Sequence, residues 1–440
     1  MENIFLILVV FLLTGILSFL AARKIEFGAF IFLMVTYVIN PLFISAYNRL
    51  VILKIGTITI NQNDPIVFIL LIAVIIRILK KRVFNLITPY QRVFLLLFVG
   101  LVFLSTMTGY FKFGEGGFAD ARRYFIVIAP LLYFASFKYS IKNLQNLGNI
   151  IILSAVLSSL GGLVKWLFWG FSIGSSIESV NYTDIRRELG ISTTGIILLI
   201  ALIIIVIKLI RDQHNQILKL FLLSLFLGMI VLLQERTLWF ITLFMMIYFL
   251  LRYKGKFIVT IIPVLIALLI LSLSLYIFNV LHLRQTFSGI FSAFKTIQGP
   301  NSTFSWRVEG WLALLKNLSW YKYVTGSAFG SGYERLVMGQ IVNYNPHSFY
   351  VTNIVRIGLF GLFAYVLSHL FLLSKMRDIM RFTHNRIGKY EILNTVTEII
   401  MLALISNLLT SITYNLSQLG GAIWGVGIAF CSSIKRDLIS

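Results

Sequence analysis

The sequence predicts an all-α polytopic membrane protein of about 12–13 transmembrane helices with one large, partly helical outer loop. Three observations carry this. The 440 residues are 58% hydrophobic and only 12% charged, whereas soluble proteins carry about a quarter charged residues. The apolar residues fall in repeated runs of roughly 15–25, the length that crosses about 30 Å of hydrocarbon as a helix. The runs are continuous rather than alternating, which excludes the β-barrel, the other structure that satisfies its backbone in lipid.

In chain order the spans fall near 4–22, 27–46, 65–79, 92–111, 124–140, 149–170, 191–207, 218–234, 237–251, 257–279, 347–374, 392–413 and 419–434. Residues 1–440 therefore read as a single transmembrane domain, and residues 280–346 as a large loop within it. Met1-Glu2-Asn3 runs straight into an apolar helix without a basic stretch, so no cleavable signal peptide is expected. The single cysteine, Cys431, excludes an intrachain disulfide. The net charge of +22 would point to nucleic acid in a soluble protein. In a membrane protein it points first to basic loops beside anionic lipid, and second to an anionic substrate; no nucleic-acid partner is expected.

Short basic loops set the orientation. Arg23-Lys24, Lys80-Lys81-Arg82, Lys138 and Lys142, Lys208, Arg211 and Lys219, Arg252, Lys254 and Lys256, the Lys375–Lys389 stretch and Lys435-Arg436 all fall on one side. That side is assigned to the cytoplasm, and the N-terminus to the outside. The outer side then holds 47–64, 112–123, 171–190, the turn Gln234-Glu235-Arg236, and 280–346. It too is basic, but chiefly through arginines: Arg49, Arg122, Arg123, Arg186, Arg187, Arg236, Arg284, Arg307 and Arg335, with Arg356 inside a span. Arginine is favoured where a planar fork holds phosphate or carboxylate. The plainer reading pairs them with Glu115, Asp120, Glu178, Asp184, Glu188, Glu309 and Glu334.

Loops as long as 280–346 usually carry function. Asn301-Ser302-Thr303 offers N-cap residues for an amphipathic helix over Phe304–Leu315. Arg307 and Trp311 share one face of it, either as a braced guanidinium or as an interfacial tryptophan beside a snorkelling arginine. The glycine-rich turn Gly326-Ser-Ala-Phe-Gly330-Ser-Gly332 lacks a P-loop lysine. Asn345-Pro346-His347-Ser348 then opens a span, with Pro346 expected in its first turn. Arg356 lies about 13 Å deeper along that helix; a charge there is a functional candidate, or the structural partner of a buried acid such as Glu398. The five histidines show no metal-ligand spacing, so no metal site and no cofactor are expected. Trp306, Trp311, Tyr333 and Tyr344 suit sugar stacking or interfacial anchoring, and Gly421-x-x-x-Gly425 suits close helix packing.

Four pieces in this order carry a resemblance: Arg236-Thr237, Arg307-Val-Glu-Gly-Trp311, Gly330-Ser-Gly332, and Pro346-His347-Ser348 followed by Gly358-Leu359-Phe360-Gly361. Over about residues 230–375 the chain resembles the bacterial O-antigen ligase/O-antigen polymerase superfamily. The sequence departs from it in two places: Ser348 stands where Asn is common, and Arg356 stands in a region that often holds an acid. The resemblance implies a metal-independent glycosyltransferase of the bacterial inner (cytoplasmic) membrane, with its active site facing the periplasm. Its donor would be an undecaprenyl-diphosphate-linked glycan and its acceptor a saccharide hydroxyl, among membrane lipids. A chain-length regulator and a flippase of the same pathway are candidate partners.

In this reading His347 is the general base, since a hydroxyl needs a base with a pKa near 7. Arg236 and Arg307 stabilise the leaving diphosphate. Arg187, Arg356, Trp311, Gly330 and Gly332 are candidates for binding diphosphate or glycan. A polymerase is the first reading, in lipopolysaccharide or another surface polysaccharide; a ligase onto lipid A–core is its sibling. A lipid-linked oligosaccharide flippase is the alternative of another class, and it would be expected to show pseudo-repeated helices and short loops.

Overall fold

The computed structural model describes residues 2–43, 51–55, 58–61, 63–80, 88–172, 191–212, 214–233, 235–262, 264–266, 303–383 and 388–437. The helices follow the predicted spans in order, except that 267–279 of the predicted span 257–279 lie outside the described residues: α1 (Glu2–Arg23), α2 (Ile25–Leu33, continued by a π-helical turn Met34–Ile39), α3 (Asn40–Phe43), α4 (Asp64–Leu79), α5 (Pro89–Phe113), α6 (Glu115–Ala135), α7 (Ile141–Ser172), α8 (Ile191–Arg211), α9 (Gln216–Leu232) and α10 (Arg236–Tyr253). After them come α11 (Thr303–Lys316), α12 (Trp320–Thr325), α13 (Phe349–Thr383), α14 (Lys389–Thr413) and α15 (Gln418–Asp437). Among the described residues six helices are long and apolar enough to cross a membrane, and shorter apolar helices accompany them. Two small antiparallel hairpins interrupt the helical pattern: β1 (Val51–Ile55) with β2 (Ile58–Asn61), and β3 (Arg335–Val337) with β4 (Gln340–Val342).

The chain forms two compact units. The first comprises Met1–Ile25, Val67–Ile141 and Thr296–Ser440. Its core is aromatic: Phe98, Tyr124, Tyr365 and Trp424 meet ring to ring at 5.2–6.4 Å. Trp424 is fully buried, and its indole N–H donates to Ser368 Oγ at 2.8 Å. Small residues let α15 close on α6. A Cβ on Gly421 would strike Val127 O, and one on Gly425 would strike Leu131 O, so the Gly-x-x-x-Gly motif is a packing seam, as expected. At one end, buried Arg77 donates to Ala22 O at 3.0 Å and to Ser136 O at 2.7 Å. These carbonyls sit at the C-terminal ends of α1 and α6, where helices leave acceptors unsatisfied and favour a cation. On α5, Val93, Leu96, Phe103 and Leu104 are exposed, the face such a helix offers to lipid.

Residues 112–123, expected as a loop, are mostly helix. The chain reverses at Gly114 (φ +58°), and α6 starts at once. The reversal needs no loop because α5 and α6 touch through Gly109 and Gly117: a Cβ on Gly117 would overlap the Gly109 backbone. Asp120, Arg123 and Tyr124 therefore lie within one turn of a helix, at spacings that place them on neighbouring faces.

The second unit comprises Glu26–Ile66 and Lys142–Lys295. Its centre is α8, where Ile197, Leu198, Leu199, Ala201, Leu202 and Ile203 are fully buried. Gly195 lies against the Leu238 side chain, which brings α10 close. Polar contacts mark its edges: Asn143 donates to Glu26 Oε1 at 2.5 Å, and Lys219 pairs with Asp212 at 2.8 Å.

Candidate functional site

Helix α11 is described from Thr303 onward, and its apolar stripe lies over the helix bundle. Leu314, Tyr333, Val351 and Val355 form a buried cluster there, with Trp311 and Leu318 packed against it. Arg307 and Trp311 share the face that reaches across to other elements. The Arg307 guanidinium donates to Thr413 O at 3.3 Å, and the Trp311 indole donates to Pro346 O at 2.6 Å. The tryptophan thus grips the peptide just before His347 rather than bracing the arginine.

His347 adopts a left-handed backbone (φ +54°), unfavourable for a side chain with a Cβ. Its N–H donates to Asn345 Oδ1 at 3.1 Å, a turn closed by a side chain. Thr352 holds the same oxygen at 3.4 Å. Pro346 lies ahead of the helix rather than in its first turn, because α13 begins at Phe349. Ser348 takes the capping place instead: its carbonyl accepts from Thr352 N at 2.9 Å, and its hydroxyl is 3.5 Å from Val351 N. A serine at the position after the histidine is therefore locally adequate.

The His347 ring is exposed, 6.0 Å from Tyr344, which stacks on Trp306 at 5.5 Å. Its pKa is lowered to about 4, first by desolvation against the neighbouring protein and then by the charges of Arg307, Arg123 and Arg335. The imidazole is therefore neutral at pH 7, and it is a weaker base than the group with a pKa near 7 that the sequence reading calls for. Arg335 is buried, donates to Tyr333 O and Tyr344 O at 2.9 and 2.7 Å, and faces the Tyr344 ring.

Arg356 is 1% exposed, and its guanidinium is saturated. It donates to Tyr333 OH at 2.9 Å, Ala328 O at 2.9 Å, Ser331 Oγ and Gly332 O at 3.1 Å, and it pairs with Asp120 at 2.7 Å. These acceptors match its five N–H groups. The suggested pairing of Arg356 with Glu398 is corrected by this geometry, since its acid is Asp120, and the guanidinium expected to bind substrate is engaged within the protein. The glycine turn is held by the same pair, because Gly330 N–H donates to Asp120 Oδ2 at 3.2 Å while Gly332 supplies a carbonyl to Arg356. A Cβ on Gly330 would stand 2.8 Å from Gly117 Cα. Gly330 and Gly332, expected to bind diphosphate or glycan, thus face Asp120, Gly117 and Arg356.

The break in α13 at Gly358 (φ +70°) completes the arrangement. It frees the carbonyls of Val355 and Arg356, which accept from Ser327 N at 2.6 Å and Ser105 Oγ at 2.7 Å. The Val324–Gly326 backbone lies so close that a Cβ on Gly358 would strike Val324 O.

Arg236 begins α10 in the second unit, half-buried, with Glu235 at the N-cap position; Trp239 donates to Ile230 O at 3.0 Å. Arg187 lies outside the described residues, as do 280–302 of the long segment. Sequence reasoning named Asp120 and Arg123 only as outer-side charges, Tyr333 only as an aromatic for stacking or anchoring, and Asn345 only within the motif that opens a span, and gave none of them a place at the site. The signal for the first two was the helical spacing of 115–124, hidden by treating that stretch as a loop.

These helices define a multi-pass membrane protein, and the described part of the loop segment, from Thr303, packs on α13 within the first unit. Residues 220–366 match the family model described as O-antigen ligase. The match supports membership of the O-antigen ligase/O-antigen polymerase superfamily, and with it that family's function in general. No curated protein matches the chain.

Proposed function

We propose that the protein is a metal-independent glycosyltransferase that polymerises a surface polysaccharide such as O-antigen. The donor is a glycan on undecaprenyl diphosphate at the periplasmic face of the inner membrane, and the acceptor is a sugar hydroxyl. The observation that carries this reading is the placement of His347. It is held left-handed by Asn345, with Trp311 gripping the preceding peptide, and it sits neutral in the field of Arg307 and its neighbours.

In the step proposed, His347 takes the proton of the acceptor hydroxyl as its oxygen attacks the anomeric carbon. The bond from that carbon to the phosphate oxygen breaks from the opposite face, inverting configuration. The electron pair leaves on the lipid diphosphate, where Arg307 offsets the growing charge; Arg236, expected in the same role, lies in the second unit. A preorganised donor at such a position contributes about 3 kcal/mol to the transition state. Arg356, Trp311, Gly330 and Gly332 serve by holding the loop and the peptide around His347.

The test is complementation of a deletion strain by His347→Ala. The proposal expects loss of polymer with the protein still present in the membrane; wild-type polymer removes His347 from the chemistry. A second reading, transfer of finished polymer onto lipid A–core, is favoured by the description of the matching family model as a ligase. The lipopolysaccharide ladder of the deletion strain separates the two. Capping by a single repeat marks a polymerase, and absence of capping marks a ligase.

A further inference from the structure

Helix α13 changes its surroundings at its break. From Phe349 to Gly358 no residue is exposed. From Phe360 onward an exposed stripe opens through Phe363, Leu367 and Leu370, at the spacing of one helical face, the face that meets hydrocarbon. The first lysine or arginine beyond it is Lys375. Counted back from Lys375 at 1.5 Å per residue, about 30 Å of hydrocarbon spans roughly 20 residues and ends near the level of Val355 and Gly358. At that level the loop segment sheathes α13. The backbone at Val324 lies against Gly358, and Gly326 lies against the Arg356 carbonyl. Ser327 N–H donates to Val355 O at 2.6 Å, and Leu314 of α11 joins Val351 and Val355 in one buried cluster. Helices α11 and α12 thus stand where the stripe of α13 would otherwise continue.

The outward side of these two helices is apolar. The apolar arc of α11 is wider than the buried cluster uses: Leu314 is buried, whereas Phe304 is 55% and Leu312 53% exposed. At the start of α12, Trp320 is 81% and Tyr321 51% exposed. The other tryptophans of the described loop segment are engaged, Trp306 by stacking on Tyr344 and Trp311 by its bond to Pro346 O. Tryptophan and tyrosine beside a lysine with a long apolar stem is the composition of a headgroup boundary, and Lys316 is exposed between Leu312 and Trp320 in the chain. A cluster of large exposed apolar side chains marks an interaction surface rather than a water-facing loop. We propose that the Phe304–Leu312 edge of α11 and the Trp320-Tyr321 pair of α12 seat in the lipid of the leaflet at the His347 end of α13, continuing the Phe360–Leu370 stripe. The segment that carries the glycine turn is then tied to the bilayer as well as to α13. The inference goes beyond the transferase reading and does not depend on it, since it needs only that α13 crosses a membrane.

The experiment places one nitroxide on the full-length chain in phosphatidylcholine vesicles. The buried native thiol is removed by Cys431→Ala, and the label is attached at Trp320→Cys or Leu312→Cys. Phe363→Cys on the stripe of α13 gives the hydrocarbon reference, and Glu334→Cys, exposed in the loop segment, gives the water reference. All four side chains are exposed, so the labels displace no packed group. Power saturation compares collisions with dissolved oxygen, which concentrates in lipid, and with a water-soluble nickel chelate. The oxygen-to-nickel ratio at 320 and 312 should be several-fold higher than at 334 and approach that at 363. A ratio at 320 and 312 equal to that at 334 would overturn the proposal, because the surface would then face water. Protection of both labels from oxygen and nickel alike would also overturn it, because protein, such as a second copy of the chain, would then cover the face.

Discussion

Arg356 Nη2 and Asp120 Oδ2 lie 2.7 Å apart, and the pair joins α13 to α6 through the glycine turn that both residues hold. Breaking a buried pair by removing one partner costs about 3–5 kcal/mol, because the other charge is left uncompensated. Asp120→Asn and Arg356→Gln should each lower unfolding stability by about that amount, measured by denaturant unfolding in detergent. The double variant Asp120→Asn/Arg356→Met should cost less than the sum of the singles. Additive costs would mean that the two side chains act separately.

The glycine turn makes a second comparison. Gly330 (φ +85°) has backbone 2.8 Å from its missing Cβ, whereas Gly339 (φ +78°) has open space. Both positions strain an alanine, by about 1 kcal/mol or more, but only Gly330→Ala also collides with α6. Gly330→Ala should therefore lower the unfolding midpoint more than Gly339→Ala. Equal shifts would place the turn away from α6.

The pH dependence follows from His347. Its folded pKa, about 4, lies below the ordinary value of about 6.5. Between those values the unfolded chain binds the proton and the folded chain does not, so this group's contribution to stability falls as pH drops from 6.5 toward 4. The acid limb of kcat/KM, which reports the free enzyme, should fall near pH 4 rather than 6.5. Arg307→Gln removes one repelling charge and should move that limb upward. A limb that stays in place would mean that Arg307 does not reach the ring.

Asn345 should matter to rate more than to stability. Its side-chain oxygen accepts from His347 N–H at 3.1 Å and supports a strained backbone. Asn345→Ala should cost about 10–100-fold in kcat, the scale of a misplacement near 1 Å, while unfolding stability changes by about 1 kcal/mol. A variant that unfolds readily but turns over normally would contradict the positioning role.

Much of the fold was legible because lipid forces one pattern: continuous apolar runs of helical length. The 303–316 helix was legible from its amphipathic pattern, and the α6–α15 seam from Gly421 and Gly425. Three things were not. The start of α6 carries Glu115, Asp120, Arg122 and Arg123, and a charged stretch reads as a loop unless the Gly109–Gly117 contact is known. The partner of Arg356 is far away in sequence, and nothing local distinguishes Asp120 from Glu398 as the buried acid. The β1–β2 hairpin has Gly56-Thr57 between its strands in the sequence and lacks the Asn-Gly signal of a tight reversal. At the candidate site His347, Arg307 and Trp311 were visible from spacing. Asn345 needed the three-dimensional arrangement, because its significance lies in what it touches.

The most direct measurement is single-turnover glycan transfer by purified protein, in the presence of a metal chelator, comparing wild type with His347→Ala. The account predicts product from the wild type under chelation and a rate at least about 100-fold lower for the variant, the scale of general-base catalysis. Product formed by His347→Ala at the wild-type rate would contradict it.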